Sequence, residues 1–406
     1  MDERKFILAG WLIDGSGGPA QKNVLLCVED GRIVSLEQDA ELASLTGVTD
    51  LSHCTILPPL VDSHVHLFMS GTTARETREK QLTASYEELR PVIRRHLHYL
   101  YSHGVLGVRD GGDFGGYALR YMSEEKTPAE MQIRLAGKAW RRENRYGSLI
   151  GRAPDGDRSL EEAFLEYDDE ENTDHVKVVN SGLNSLCVFG QQTQPQFTVK
   201  ELRSLIQAAN RRGKKVMAHA NGELPVRLAL EAGCQSIEHG FFMGRANLEM
   251  MAKRGVVWVP TLYTMKAYAI NAEDTRSQID LSVAWKNLEH QLGQLRLARE
   301  LGVTVALGTD SGSLGVLHGE AVVEEMKLFK IAGYTLPEII RCATMNGARL
   351  LNIEEFGLLA PKNRASFLVT RGAPSQLPRK LSYLESLYID GKPSELYHKN
   401  PVKHIK

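Results

Sequence analysis

From about residue 55 to residue 312 the chain alternates short apolar runs with longer amphipathic stretches. The runs are TILPPLVDSHVH (55–66), GVLGVRDGG (104–112), QIRLAGKAW (132–140), HVKVVNSG (175–182), KKVMAHANG (214–222), CQSIEHG (234–240), GVVWVPTLYT (255–264) and VTVALGTDSG (303–312). Each is rich in Val, Ile or Leu, as a strand buried on both faces should be. Helical patterns lie between them. TVKELRSLIQAANRRG (198–213) has Thr198 and Glu201 spaced as a capping box, with Gly213 as a stop. LPVRLALEAG (224–233) and LEHQLGQLRLARELG (288–302) follow the same period. Eight strand-then-helix units predict an α/β fold, a (β/α)8 TIM barrel, with a doubly wound open sheet as the competing architecture.

The two ends read differently. Residues 6–57 predict short strands, with a hairpin turn at Asp30-Gly31. After residue 356 the chain returns to short strands in GLLAPKNRASFLVT and LYIDGKP. Both ends are expected to pair into one small β-sandwich domain. The domain boundaries are then 1–57 plus 356–406 for the small domain and 58–355 for the barrel. The connection at about 265–300 is the longest and a candidate lid.

Composition narrows the function classes. A length of 406 residues suits one large domain plus a smaller one. The formal net charge is -1, so no basic field points to nucleic acid and no acidic tail to a basic partner. MDERKFILAGWLIDG reads as neither signal peptide nor membrane span, and no later run is long enough to cross a bilayer. Five scattered cysteines without a CxxC read as reduced thiols, which fits the cytoplasm. A homo-oligomer stays open.

The candidate chemistry lies at the ends of the predicted strands, which in a barrel of this kind face the active site. His64 and His66 are two residues apart, so on a strand their side chains share a face. His219, His239 and Asp310 end three further runs. A lone HxH pair is more often hydrogen-bonded than ligating, and a lone Asp310 can cap a helix. Four imidazoles and a carboxylate at four strand ends together form the donor mix that zinc-like metals prefer. Lys177, inside VKVV, is costly if charged and unpaired. It reads as a buried ion pair, or as a neutral amine that adds carbon dioxide to become a carbamate. The glycine-rich GGDFGG (111–116) lacks the Lys-Ser/Thr of a phosphate loop.

These residues carry a resemblance. PPLVDSHVHL (58–67), HVKVVNSG, VMAHANG, SIEHG, ALGTDSG and MNGARLL (345–351) resemble the amidohydrolase superfamily over nearly the whole chain. The likeness is to the branch of imidazolonepropionase-like proteins and metal-dependent Xaa-Pro and Xaa-Arg dipeptidases. It implies two divalent metal ions, zinc before others. His64, His66 and Asp310 would hold the first, His219 and His239 the second, and carbamylated Lys177 would bridge them. It also implies a hydroxide between metals about 3.5–4 Å apart, with Asp310 as catalytic general base and then acid in cleaving an amide-type bond.

Two departures stand out. PKNRASFLV carries Lys362 and Ser366 where relatives have Gly and an Ala-Asp pair, and WRRENRYGSLIG replaces a Gly-Gly-His-Gly stretch of the dipeptidases. The alternatives are a one-metal deaminase or imidazolonepropionase-type enzyme with His239 outside the ligand set, and a non-catalytic scaffold member. For the substrate, Arg141, Arg142 and Arg145 are candidate receptors for a carboxylate, with Tyr263 adding a hydroxyl or a stacking face. The competing reading is a solvated basic loop paired with the acidic run 168–171. The partner expected is thus a small-molecule substrate that carries a carboxylate.

Overall fold

The computed structural model describes residues 4–38, 47–171, 173–271 and 279–398. The first four strands are β1 (Lys5–Leu12), β2 (Gln21–Glu29), β3 (Arg32–Gln38) and β4 (Thr49–Leu57). Next come β5 (Leu60–Val65), β6 (Val105–Asp110), β7 (Gln132–Arg134), β8 (Ala139–Trp140) and β9 (Gly151–Arg152). Then follow β10 (Val176–Val179), β11 (Val216–Ala220), β12 (Ser236–His239) and β13 (Val257–Val259). The last three are β14 (Phe367–Arg371), β15 (Ser386–Ile389) and β16 (Lys392–Pro393).

Both chain ends build one seven-stranded sheet, ordered β16-β15-β14-β4-β1-β2-β3. The hairpin between β2 and β3 forms at the expected dipeptide. Asp30 and Gly31 take φ of +48° and +75°, the left-handed pair that a two-residue turn demands. Alternate residues of these strands, among them Ile7, Ala9, Val24, Leu26, Ile56 and Phe367, fill one apolar cluster.

The middle of the chain holds a three-stranded sheet, β5-β6-β7, and a six-stranded sheet, β13-β12-β11-β10-β8-β9. All pairs within them are parallel. Seven of the eight expected runs contain these strands, with two differences. The third run divides: Gln132–Arg134 pairs with β6 and Ala139–Trp140 with β10 and β9, around a left-handed Gly137. The eighth run is no continuous strand. It makes single parallel bridges at Val305 to Trp258 and at Ser311 to Val65. Asp310 at φ +59° and Gly312 at φ +104° break its extended course. Backbone bonds still tie it on both sides. Ala306 N donates to Trp258 O (2.9 Å), Ser63 N to Leu307 O (2.9 Å) and His66 N to Ser311 O (2.7 Å).

Helices follow the strands. Val199–Arg211 starts at Thr198, which accepts from Glu201 N while the Glu201 carboxylate returns to the cap. Leu202, Leu205 and Ile206 pack in one cluster with Val216 and Ala218 of β11. The expected lid contains two helices, Tyr263–Ile270 and Leu281–Glu300, while its residues 272–278 lie outside the described residues. No helix among the described residues is long and apolar enough to cross a membrane. Because the inner strands run parallel, His64, His219 and His239 come to the same end, where α/β sheets bind ligands.

Candidate metal centre

All six expected ligands line one cavity of about 210 Å³: His64, His66, Lys177, His219, His239 and Asp310. Asp310 Oδ1 lies 3.5 Å from His64 Nε2 and 3.4 Å from His66 Nε2. One donor atom from each of these three falls within 4.8 Å of the others. Lys177 Nζ is 3.4 Å from His64 Nε2. The His64 and His239 ring centroids are 4.9 Å apart, and those of His219 and His239 4.6 Å.

Each imidazole has one nitrogen committed away from this cluster. His66 Nδ1 donates to Gly112 O (2.9 Å) and His219 Nε2 to Gly182 O (3.2 Å). His239 Nδ1 lies 2.7 Å from Thr261 Oγ1, and His64 Nδ1 2.9 Å from Glu238 Oε2. The other nitrogen of each ring is thereby left as a lone-pair donor, the arrangement metal-ligating histidines require. Burial, with help from nearby cations and rings, holds all four imidazoles well below their ordinary pKa; His66 falls to about 4 and His219 to about 3. They are neutral at pH 7, as ligands must be. Burial also lowers the Lys177 amine and raises the Asp310 carboxyl. The donor set fits divalent metal.

The backbone is strained here. His239 and Asp310 both have positive φ, at +66° and +59°. Such conformations cost of order 1–3 kcal/mol and persist where surroundings impose them. Trp258 Nε1 and Gln291 Nε2 both donate to His239 O, at 3.0 and 2.5 Å.

Three site residues escaped the sequence reading. Glu238 binds His64 with one oxygen and Arg109 Nη2 (2.8 Å) and Ser236 Oγ (2.5 Å) with the other. Asp62 accepts from Thr309 Oγ1 (2.6 Å) and Thr309 N (2.9 Å). All three of Glu238, Arg109 and Asp62 are buried. The signal that singled out Lys177, a charge inside an apolar strand run, was present for each of them.

The expected substrate residues fall elsewhere. Arg141, Arg142, Arg145 and Tyr263 do not line the cavity, although Tyr146 and Gly147 of the same loop do. Arg142 binds Glu201 (2.6 Å) and Gln196 O (2.9 Å), Arg145 binds Gln194 O (3.0 Å), and Arg141 reaches Arg142 O (3.1 Å). Their guanidiniums are thus engaged by acceptors of the neighbouring chain. Nor is the acidic run the partner of this loop at Asp168, which binds Arg212 and Lys214; the side chains of residues 169–171 lie outside the described residues. Tyr263 packs beneath Lys266 and gives its N–H to Glu325.

An α/β chain with a His-His-Asp group at one end of its parallel strands has the donor set of a metal-binding protein. The family model for the amidohydrolase family matches residues 55–395, and the chain belongs to that family. It falls on the imidazolonepropionase-like branch. An imidazolonepropionase of Deinococcus deserti is 25% identical over 370 residues, 84% of each chain. The ochratoxinase of Aspergillus niger is 30% identical over 179 residues, but that stretch spans only 42% of this chain and 35% of that protein. A crystal structure of a Xaa-Pro dipeptidase with bound methionine superposes with a TM-score of 0.81 at 25% identity, covering 97% of this chain and 100% of that one.

Proposed function

We propose that the chain is a binuclear metal-dependent hydrolase that cleaves an amide-type bond in a small molecule. The observation that carries this is the outward tethering of four neutral histidines that line one cavity with Asp310 and Lys177, where Asp310 meets His64 and His66 and Lys177 meets His64. His64, His66 and Asp310 would hold one metal and His219 and His239 the other, with Lys177, as a carbamate, supplying a further anionic ligand between them. The neutral Lys177 amine attacks carbon dioxide, forming an N–C bond and releasing a proton. Bound there, zinc would acidify a water and polarise the scissile carbonyl. Asp310 takes the attacking water's proton and returns it to the leaving nitrogen, with Ser313 Oγ donating to its second oxygen at 2.9 Å. The two parallel sheets, joined through 305–311, form a (β/α)8 barrel over residues 58–355, and the ends form the flanking small domain (1–57 plus 356–406).

That His64, His66 and Asp310 form the tight grouping found among the described residues favours a second reading, a one-metal enzyme. Metal analysis of purified protein, run with a hydrolysis screen of dipeptides, N-acyl amino acids, lactones and cyclic amides, decides between them. Two metals per chain, and bicarbonate-dependent activation of the stripped protein, are expected. One metal per chain with no bicarbonate effect would transfer the assignment to the one-metal reading. No hydrolysis of any member would remove both.

A further inference from the structure

One helix beside the centre carries a row of buried amides. On Leu281–Glu300, Asn287, Gln291 and Gln294 recur at helical spacing, and all three are buried. Amides in such places are costly unless they are hydrogen-bonded. Asn287 Nδ2 donates to Ser185 O (3.0 Å). Gln294 Nε2 donates to Gly240 O (3.1 Å) and to Gln291 Oε1 (2.7 Å), while Gln294 Oε1 accepts from Gly244 N (3.1 Å). Gln291 Nε2 donates to His239 O (2.5 Å) and to Pro260 O (3.3 Å). Both protons of the Gln291 amide thus go to carbonyls, and its oxygen receives Gln294. These partners fix which way the group faces.

Gln291 differs from its neighbours in what it holds. His239 ends β12 in the left-handed region at φ +66°. Thr261, whose hydroxyl meets His239 Nδ1 at 2.7 Å, is left-handed as well, at φ +46°. Such conformations are costly away from glycine, most of all for a β-branched residue, and they hold where the surroundings impose them. The Gln291 amide joins the two turns. One N–H fixes the carbonyl of His239, and the other fixes the carbonyl of Pro260, whose peptide leads into Thr261. It therefore supports both the backbone that carries the His239 ring and the hydroxyl that orients it. Trp258 Nε1, with its single N–H, supports only the first. Resting on the reading of His239 as a ligand of the second metal, we propose that Gln291 is the positioning residue for that side of the centre. It does not line the cavity, so it acts through His239 and Thr261.

The test is zinc uptake by the chelated protein, titrated in competition with a chelator of known affinity. Wild type should bind two ions, and His219→Ala, which strips one ligand, should mark which event belongs to the second metal. Gln291→Met keeps the length of the side chain and loses its donors. It should weaken that event roughly 10–100-fold and leave the other within about threefold. Asn287→Leu removes another amide of the row without touching Gln291, His239 or Pro260, so both events should stay within about threefold of wild type. Gln291→Asn, whose amide is one methylene shorter, should weaken the same event by more than about threefold, and it carries the test if Gln291→Met does not fold. Two ions bound with both affinities unchanged in the Gln291 variants, or both weakened alike, would give Gln291 a merely structural role. Either result overturns the proposal while the two-metal reading stands. A single ion in wild type would remove that reading, and the positioning role with it.

Discussion

His64 is held from behind as firmly as from the front. Its Nδ1 meets Glu238, and Glu238 is paired in turn with Arg109 at 4% and 0% side-chain exposure. Removing one charge from such a pair leaves the other buried and alone, which costs about 3–5 kcal/mol. Glu238→Gln should therefore lower stability by that order and weaken metal binding by roughly 10–100-fold, because the tautomer of His64 is no longer fixed. Asp310→Asn should behave differently, losing hydrolysis while keeping the fold. Competition with a chelator of known affinity reads the first effect and turnover the second. A Glu238→Gln protein that binds zinc as the wild type does would show that the carboxylate serves only the fold. The sequence displayed His64, His66, His219, His239 and Asp310 through their strand-end positions. It did not display Glu238 as their support, since only tertiary packing brings it to His64, 174 residues away in the chain.

At the level of elements, the helix Tyr263–Ile270 begins over a buried acid. Glu325 accepts from Leu262 N (2.9 Å) and Tyr263 N (2.7 Å), and burial lifts its carboxyl from 4.5 to about 8. Between those values the native chain holds a proton that the unfolded chain has released. Unfolding free energy then falls as pH rises, by up to about 1.4 kcal/mol per pH unit. The contribution is complete below about pH 4.5 and gone above about pH 8. Glu325→Gln removes this group, so wild type should lose stability relative to the variant as pH climbs from 5 to 8. Urea unfolding of both chelated proteins across that range measures it, and parallel curves would refute the assignment. Elements with strong local signals, the Thr198 capping box and the Asp30-Gly31 turn, form where the sequence put them. The third and eighth strand runs did not form whole, because left-handed Gly137 and Asp310 depart from extended geometry, and apolar composition says nothing of φ.

For the whole molecule, the site joins distant segments: residues 64–66, 112, 177, 182, 219–221, 239 and 310 meet at one end of the parallel strands. A metal that binds this assembly and not the unfolded chain must stabilise it by mass action, by about 2.7 kcal/mol at a hundredfold excess over Kd. Chelation should lower the melting midpoint and zinc should restore it. Superimposable melts with and without chelator would argue that no metal is held by the native chain.

The sequence by itself determined the alternation of strands and helices, six residues that the fold brings to one cavity and the family resemblance, because each is written in local pattern or in motif. It also offered Arg141, Arg142 and Arg145 as a carboxylate receptor, but these conspicuous cations do not line the cavity: Arg142 turns to Glu201 and Gln196, Arg145 to Gln194 and Arg141 to Arg142 O. Only the tertiary structure decided that Gln291, one amide among several on its helix, reaches the carbonyl of His239. The reason is physical. Polarity is a property of a residue, whereas the direction in which a polar group points, and what answers it, depend on contacts such as His239 and Pro260 that lie 52 and 31 residues away.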